Sequence, residues 1–203
     1  MKSVLISIQP KWCELIASGK KTVEVRKTKP KLEVPFKCYI YCTKDNTFAE
    51  KTLRGFDDNG KAIYYKANKG KVIGEFVCDR VIGTCLWRLK GETGLCAKRT
   101  EEELNLPNNS CLTMEEIEQY AGSRGRGIYG WHISDLVIYD KPRELSEFYH
   151  YCGDNPNCDG CEAHYFSNTE CGKEDYCCSP IEGCKPLKRP FQSWGYVESE
   201  GTE

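Results

Sequence analysis

Apolar positions recur along the chain in two periods, and the switches between them mark the elements. From Ser3 to Ile8, the residues Val4, Ile6 and Ile8 fall on one side, the two-residue period of a strand. Gln9-Pro10 opens a helix, because proline suits the first helical turn, and Trp12, Leu15 and Ile16 form its apolar side. Cys13 reads there as a small apolar filler, and Gly19 as the helix stop. Thr22 to Arg26 alternates again. Val23 and Val25 face the core, Thr22, Glu24 and Arg26 share the other face, and Lys21 sits at the turn leading in. Lys27 to Pro35, with two prolines, is a loop: either a plain connection or a lid beside the preceding corner.

Phe36 to Tyr41 predicts a strand, and the polar stretch from Thr43 to Lys71 an insertion or long hairpin loop. Val72 to Val81 reads as the central strand, interrupted by Glu75. Gly83 to Asn109 reads as loop with a short helix. Thr113 and Glu116 form a capping box that starts a helix, Ile117 and Tyr120 pack inward, and Gly122 ends it. Ser123 to Gly127 is a basic loop whose Arg124 and Arg126, set between glycines, suit phosphate contacts. Ile128 to Tyr139 is strand-like. Lys141-Pro142 is expected to break it, Glu144 to His150 to make one or two helical turns, and Pro190 to Val197 to close the sheet. Several short strands with two or three helices define an α+β fold built on a mixed, partly closed barrel.

Composition narrows the class. With 29% charged and 39% hydrophobic residues in 203, the chain is globular rather than disordered. A net charge of −1 argues against bulk electrostatic binding of nucleic acid. That mean conceals an asymmetry: residues 1–31 hold eight Lys/Arg against two Asp/Glu, and residues 152–203 hold four against ten. An anionic ligand is therefore expected at the basic end. The run Val4-Leu5-Ile6 is too short for a signal peptide, and no run reaches the ~20 apolar residues of a membrane span. The expectation is a cytoplasmic protein that does not enter membranes. Oligomeric state is not readable.

The corner after the first helix carries the family resemblance. Gly19, Lys21, Glu24 and Arg26 match G-x-K-x-x-E-x-R, the signature of ASCH domains, relatives of the PUA RNA-binding fold. Ser7-Ile8-Gln9-Pro10-Lys11-Trp12 resembles that family's strand-to-helix entry, and Trp131-His132-Ile133-Ser134-Asp135-Leu136 resembles a later stretch of it. The resemblance spans roughly residues 3–145. It implies a PUA-like mixed β pseudo-barrel with flanking helices over residues 1–150. Residues 151–203 form a cysteine-rich extension whose last strand returns to the barrel.

Fourteen cysteines in a cytosolic chain call for something other than disulfides. Seven lie between Cys152 and Cys184. Cys158-x-x-Cys161 has metal-knuckle spacing, and Cys171, Cys177, Cys178 and Cys184 can complete a thiolate site. The extension has too few large aliphatics for a core, so a structural zinc on Cys158, Cys161, Cys171 and Cys177 is the expectation. An iron–sulfur cluster, free thiols and disulfides are the alternatives, and His164 could replace one thiolate.

Three functions compete for the corner. In the first, Lys21 and Arg26 hold phosphate or carboxylate, Glu24 accepts from a base amino group, and Trp12 or Trp131 stacks on the base of an RNA, nucleoside or nucleotide. His132 alternates with Trp131 and Ile133, so it faces either the cleft or the core. In the second, the resemblance extends to small ASCH-family amidohydrolases acting on acetylated cytidine, where the signature lysine is nucleophile or base. Lys21 matches that lysine, but Glu24 stands where those enzymes have threonine. A carboxylate there favours the ammonium, which is no nucleophile. In the third, Lys21, Glu24, Arg26 and His132 serve RNA cleavage, an activity of the broader family. Failing all three, the chain is an interaction protein that docks through its zinc-like tail.

Overall fold

The computed structural model describes residues 2–44, 52–56, 62–66, 70–84, 86–89, 92–95, 105–122, 127–151 and 186–199. In chain order the elements are β1 (Ser3–Ile8), α1 (Pro10–Ala17), β2 (Val23–Arg26) and β3 (Phe36–Cys42). Then come β4 (Thr52–Phe56), β5 (Ala62–Lys66), β6 (Lys71–Cys78), β7 (Val81–Thr84), β8 (Leu86–Leu89) and β9 (Glu92–Leu95). The remainder are α2 (Leu106–Ser110), α3 (Met114–Ala121), β10 (Ile128–His132), β11 (Ser134–Arg143), β12 (Phe148–His150) and β13 (Trp194–Ser199). Six strands make the main sheet in the order β11-β6-β3-β1-β13-β12, with β1 and β3 parallel. A second sheet has the order β2-β10-β7. Two hairpins complete the set: β4–β5 lies beside α1, and β9 of β8–β9 lies beside α3. The result is a mixed, sheet-dominated fold with few helices. No helix among the described residues is long and apolar enough to cross a membrane.

The core sits between the sheets. Val4, Ile6 and Ile8 of β1 meet Cys38, Ile40, Phe76 and Cys13, with Trp131 arriving from the smaller sheet. Burial and the neighbouring Cys42 push the Cys13 thiol up, so it packs as an apolar side chain rather than a nucleophile. Leu5, Tyr39 and Tyr41 point the other way, under Phe148, Leu187 and Val197. Both faces of the main sheet are thus covered, and β1 is buried throughout. Val23 and Val25 of β2 pack outward against Leu106 of α2 and Ile117 and Ala121 of α3. Thr113 and Glu116 form the expected capping box on α3.

Two runs that read as single strands each serve both sheets. The Val72–Val81 run ends one strand at Cys78, turns at Asp79-Arg80, and starts β7 at Val81. The Ile128–Tyr139 run leaves the smaller sheet at His132 and enters the main one at Ser134, with Asp135 at φ 46° in the turn. Apolar alternation persists through such corners because both sheets close on one core, so periodicity alone cannot locate them. Pro142 does not break β11. It lies where the β11–β6 register slips between Ile138 and Arg143, an irregularity that spares the missing N–H. Glu144–His150 is a single 3-10 turn, Leu145–Glu147, followed by β12 rather than a longer helix. The 43–71 stretch contains the β4–β5 hairpin. The 83–109 stretch holds strand as well as the expected short helix. Gly74 lets β11 approach closely, because a Cβ there would lie 2.4 Å from the Val137 carbonyl oxygen.

Glu75 is neither idle nor simply exposed. Its Oε1 accepts from Lys37 Nζ at 2.8 Å and its Oε2 from Tyr139 OH at 2.6 Å, tying β3, β6 and β11 together. Burial raises the Glu75 carboxyl, but the bonds from Lys37 and Tyr139 outweigh it and hold the pKa below its ordinary 4.5. A carboxyl depressed in the folded state adds stability above about 4.5 and loses it as pH falls through the lower folded value. Urea unfolding across the acid range is therefore expected to show a shallower pH dependence in Glu75→Gln than in the wild type.

Candidate functional site

The helix-to-strand corner gathers three ionic side chains. α1 ends at Ala17, and Gly19, at φ +70°, reverses the chain into β2. Thr22 N donates to Asn109 O at 2.9 Å, which locks the corner to α2. Glu24 lies opposite Trp131 and Arg26 opposite Tyr129 in the β2–β10 register. Their shared face turns inward, toward Ser7 at the end of β1, since Val23 and Val25 already cover the outer side. Lys21, Glu24 and Arg26 are only 3%, 7% and 8% exposed, far less than charged side chains usually are.

The three form a chain of contacts. Lys21 Nζ lies 3.2 Å from Glu24 Oε2, and Arg26 Nη2 lies 3.1 Å from Glu24 Oε1. Lys21 Nζ also donates to Ser110 O at 2.7 Å. Arg26 Nη2 donates to Ser7 O at 2.7 Å and its Nη1 to Ser193 Oγ at 3.4 Å, so this one guanidinium joins β2 to the end of β1 and the approach to β13. Arg26 Nε is buried with no hydrogen-bond partner among the described residues. Two cations around one carboxylate leave the cluster with one surplus positive charge.

A cavity of about 500 Å³ opens over this cluster. Lys21, Glu24 and Arg26 line it together with Ser7, Gln9 and Trp12 from the β1–α1 junction, Glu116, Gln119 and Tyr120 from α3, and Gln192. Trp12 is half-buried, with Lys21 Nζ 5.2 Å and Lys11 Nζ 4.1 Å from its ring centre. Glu116 is committed to its helix cap, its Oε2 accepting from Thr113 N at 2.8 Å.

Four of the sequence-predicted site residues therefore meet: Trp12, Lys21, Glu24 and Arg26. Trp131 does not join them. It is fully buried in the core, its ring edge-on to Phe36 and Trp194 at 5.7 Å from each, where no base can stack. His132 lies on neither the cavity nor the core side. It is half-buried, with Nδ1 2.6 Å from Asp79 Oδ1 at the β6–β7 corner. Arg124, Arg126, Cys158, Cys161, Cys171 and Cys177 lie outside the described residues. Among the described residues no group of His, Cys, Asp or Glu could hold a metal ion. The sequence reading missed Gln9, Gln119 and Gln192 as cavity residues. Glu116, Gln119 and Tyr120 are spaced to share a helix face, which was the available signal for α3. Gln192 has none, because only the return of β13 brings it near.

Comparison with known proteins settles the family. The ASCH domain model matches residues 6–134, and the chain belongs to that family, whose domains are generally RNA-binding. No curated relative matches the chain. Among solved structures, the crystal structure of ASCH from Zymomonas mobilis is 18% identical, with a TM-score of 0.45, covering 70% of this chain and 73% of that one. A tyrosine-to-phenylalanine mutant of that Zymomonas mobilis protein is 17% identical, with a TM-score of 0.46, covering 71% of this chain and 77% of its own.

Proposed function

We propose that the cavity recognises one base of an RNA, or a modified nucleoside, held over Lys21, Glu24 and Arg26. The observation that carries this reading is a buried, mutually paired cation–carboxylate–cation cluster lining a cavity of about 500 Å³ beside the half-buried Trp12. That volume lies within the ~300–1,000 Å³ usual for small-molecule sites. A carboxylate has about four acceptor sites, so Glu24 can pair with both cations and still accept from an exocyclic amino group. Gln9, Gln119 and Gln192 offer amides that can both donate and accept around the ring. Trp12 offers a flat face, and base stacking of that kind is worth ~1–3 kcal/mol.

Hydrolysis of acetylated cytidine and scission of RNA are the competing readings for the same residues. An amine nucleophile must shed its proton, whereas Lys21 donates to Ser110 O and faces Glu24, which supports a holding role over attack. A structural zinc on Cys158, Cys161, Cys171 and Cys177 remains part of the proposal for the extension, as does docking of a protein partner there.

Titration calorimetry with a nucleoside panel, acetylcytidine included, and a labelled RNA tests the reading. Wild type is expected to bind, and Trp12→Ala to bind about 5- to 150-fold more weakly, the span of the stacking energy. Chromatography of the same mixtures checks for chemistry. Turnover that disappears in Lys21→Ala would replace recognition with catalysis.

A further inference from the structure

A second cluster of polar and aromatic side chains stands apart from the cavity, where β13 returns to the main sheet. Tyr196 and Glu198 lie two residues apart on β13 and so share one face. Glu198 pairs with Tyr149 of β12, and Tyr151 N donates to Tyr196 O at 3.3 Å, which sets Tyr151 beside Tyr196. Ser3 pairs with Val197, so Lys2, one residue before β1, arrives opposite Glu198. Lys2 Nζ stands 4.4 Å from the ring centre of Tyr151 and 4.4 Å from that of Tyr196. Both distances are well inside the ~6 Å over which a ring face attracts a cation. Tyr196 is held in place: its OH accepts from Lys31 N at 2.7 Å, and its ring meets Trp194 edge-on at 5.6 Å. Glu198 is only 7% exposed, and its Oε2 is buried with no hydrogen-bond partner among the described residues. A buried carboxylate oxygen left unpaired is costly, and a cationic donor is what it lacks. None of these residues lines the cavity over Lys21.

We propose that Tyr151, Tyr196 and Glu198 form a second ligand site, a cage for a methylated ammonium group, which Lys2 occupies in this structure. Lys2 shows what the site accepts: a flexible aliphatic stem ending in a cation. An unmodified ammonium is strongly hydrated and gives up that water to enter. Methyl groups on the nitrogen remove part of its hydration and present apolar surface to the two ring faces, the general basis of methyl-lysine recognition by aromatic residues. Glu198 adds a rule for the degree of methylation. A dimethylammonium keeps one N–H to donate to Oε2, whereas a trimethylammonium has none. The dimethyl form is therefore the preferred occupant. Lys2 competes with it from within the chain. Because Lys2 stands outside β1, its side chain can withdraw without parting the β1–β13 ladder. The held ring of Tyr196 loses little freedom when the occupant changes. A methylated lysine side chain and a free methylated amine offer the same head group, so the probes below separate the two sources.

The test follows the head-group protons of small probes by NMR as protein is added, because a group seated between two ring faces shifts upfield. The probes are the acetylated amide of dimethyllysine, its trimethyl and unmethylated counterparts, a neutral counterpart ending in a tert-butyl group, and N,N-dimethylbutylamine. Lys2→Ala empties the cage and is expected to bind the dimethyl probe about 2- to 30-fold more tightly than wild type, the span of one cation–π contact. Its order of preference is expected to be dimethyl, then trimethyl, then unmethylated, with no upfield shift of the neutral probe. Tyr151→Leu, added to Lys2→Ala, is expected to weaken binding by about the same factor, and Tyr151→Phe, which keeps the ring, to preserve it. Glu198→Gln is expected to remove the preference for dimethyl over trimethyl. Tighter binding of the lysine amide than of dimethylbutylamine assigns the ligand to a protein side chain, and the reverse assigns it to a free amine. Absence of an upfield shift with Lys2→Ala, an equal shift of the neutral probe, or loss of binding in Tyr151→Phe as complete as in Tyr151→Leu overturns the cage.

Discussion

Glu24→Gln is expected to lower folding stability by about 3–5 kcal/mol, because it strands two buried cations that share one carboxylate. Urea unfolding monitored by circular dichroism would measure it. Lys21 and Arg26 cannot turn to solvent: both are under a tenth exposed, and each is tethered to a carbonyl, Ser110 O and Ser7 O. Their mutual repulsion would therefore act in a poorly hydrated setting, where unpaired charge is costly. A second variant separates structure from function. Converting the whole cluster, Lys21→Met with Glu24→Leu and Arg26→Met, removes all three charges at similar volume. Such replacements are often neutral or stabilising, so most of the lost stability should return. Ligand binding should not. If the apolar variant folded and still bound nucleoside as wild type does, the cluster would be scaffolding for the strand corner and nothing more.

The corner was legible in the sequence because its signals are local. Gly19, the spacing of Lys21, Glu24 and Arg26, and the alternation of Val23 and Val25 all lie within eight residues, and each reports on its neighbours. The Thr113–Glu116 cap was readable for the same reason. What lies opposite a residue is a tertiary fact. The polar side of β2 looks solvated in sequence, and only the approach of β1, whose Ser7 carbonyl accepts from Arg26, shows that side to be interior. Likewise, nothing in the run from Ile128 to Tyr139 says that the chain changes sheets at Ile133. The apolar pattern is the same whichever sheet supplies the neighbour. Pro142 misled because its usual exclusion from strands has an exception at register slips, and a slip is a property of two strands.

Trp131 shows the same limit at a single residue, and it carries the second large prediction. An indole in a family motif beside a basic corner invites a stacking role, yet this one is fully buried against Phe36 and Trp194. Trp131→Ala is expected to destabilise by about 3–5 kcal/mol, the range for emptying a large aromatic from a core. Trp131→Phe should cost much less. It keeps a ring between the same two neighbours, and it deletes Nε1, a buried donor with no hydrogen-bond partner among the described residues. Removing an unsatisfied donor returns part of what the smaller ring loses in contact. Thermal unfolding of the two variants gives the comparison, and binding assays on Trp131→Phe give its functional counterpart. Affinity for nucleoside should survive in Trp131→Phe and fall in Trp12→Ala, because only Trp12 lines the cavity. The reverse order would place the base against β10 rather than against α1 and would move the site to the other side of Glu24.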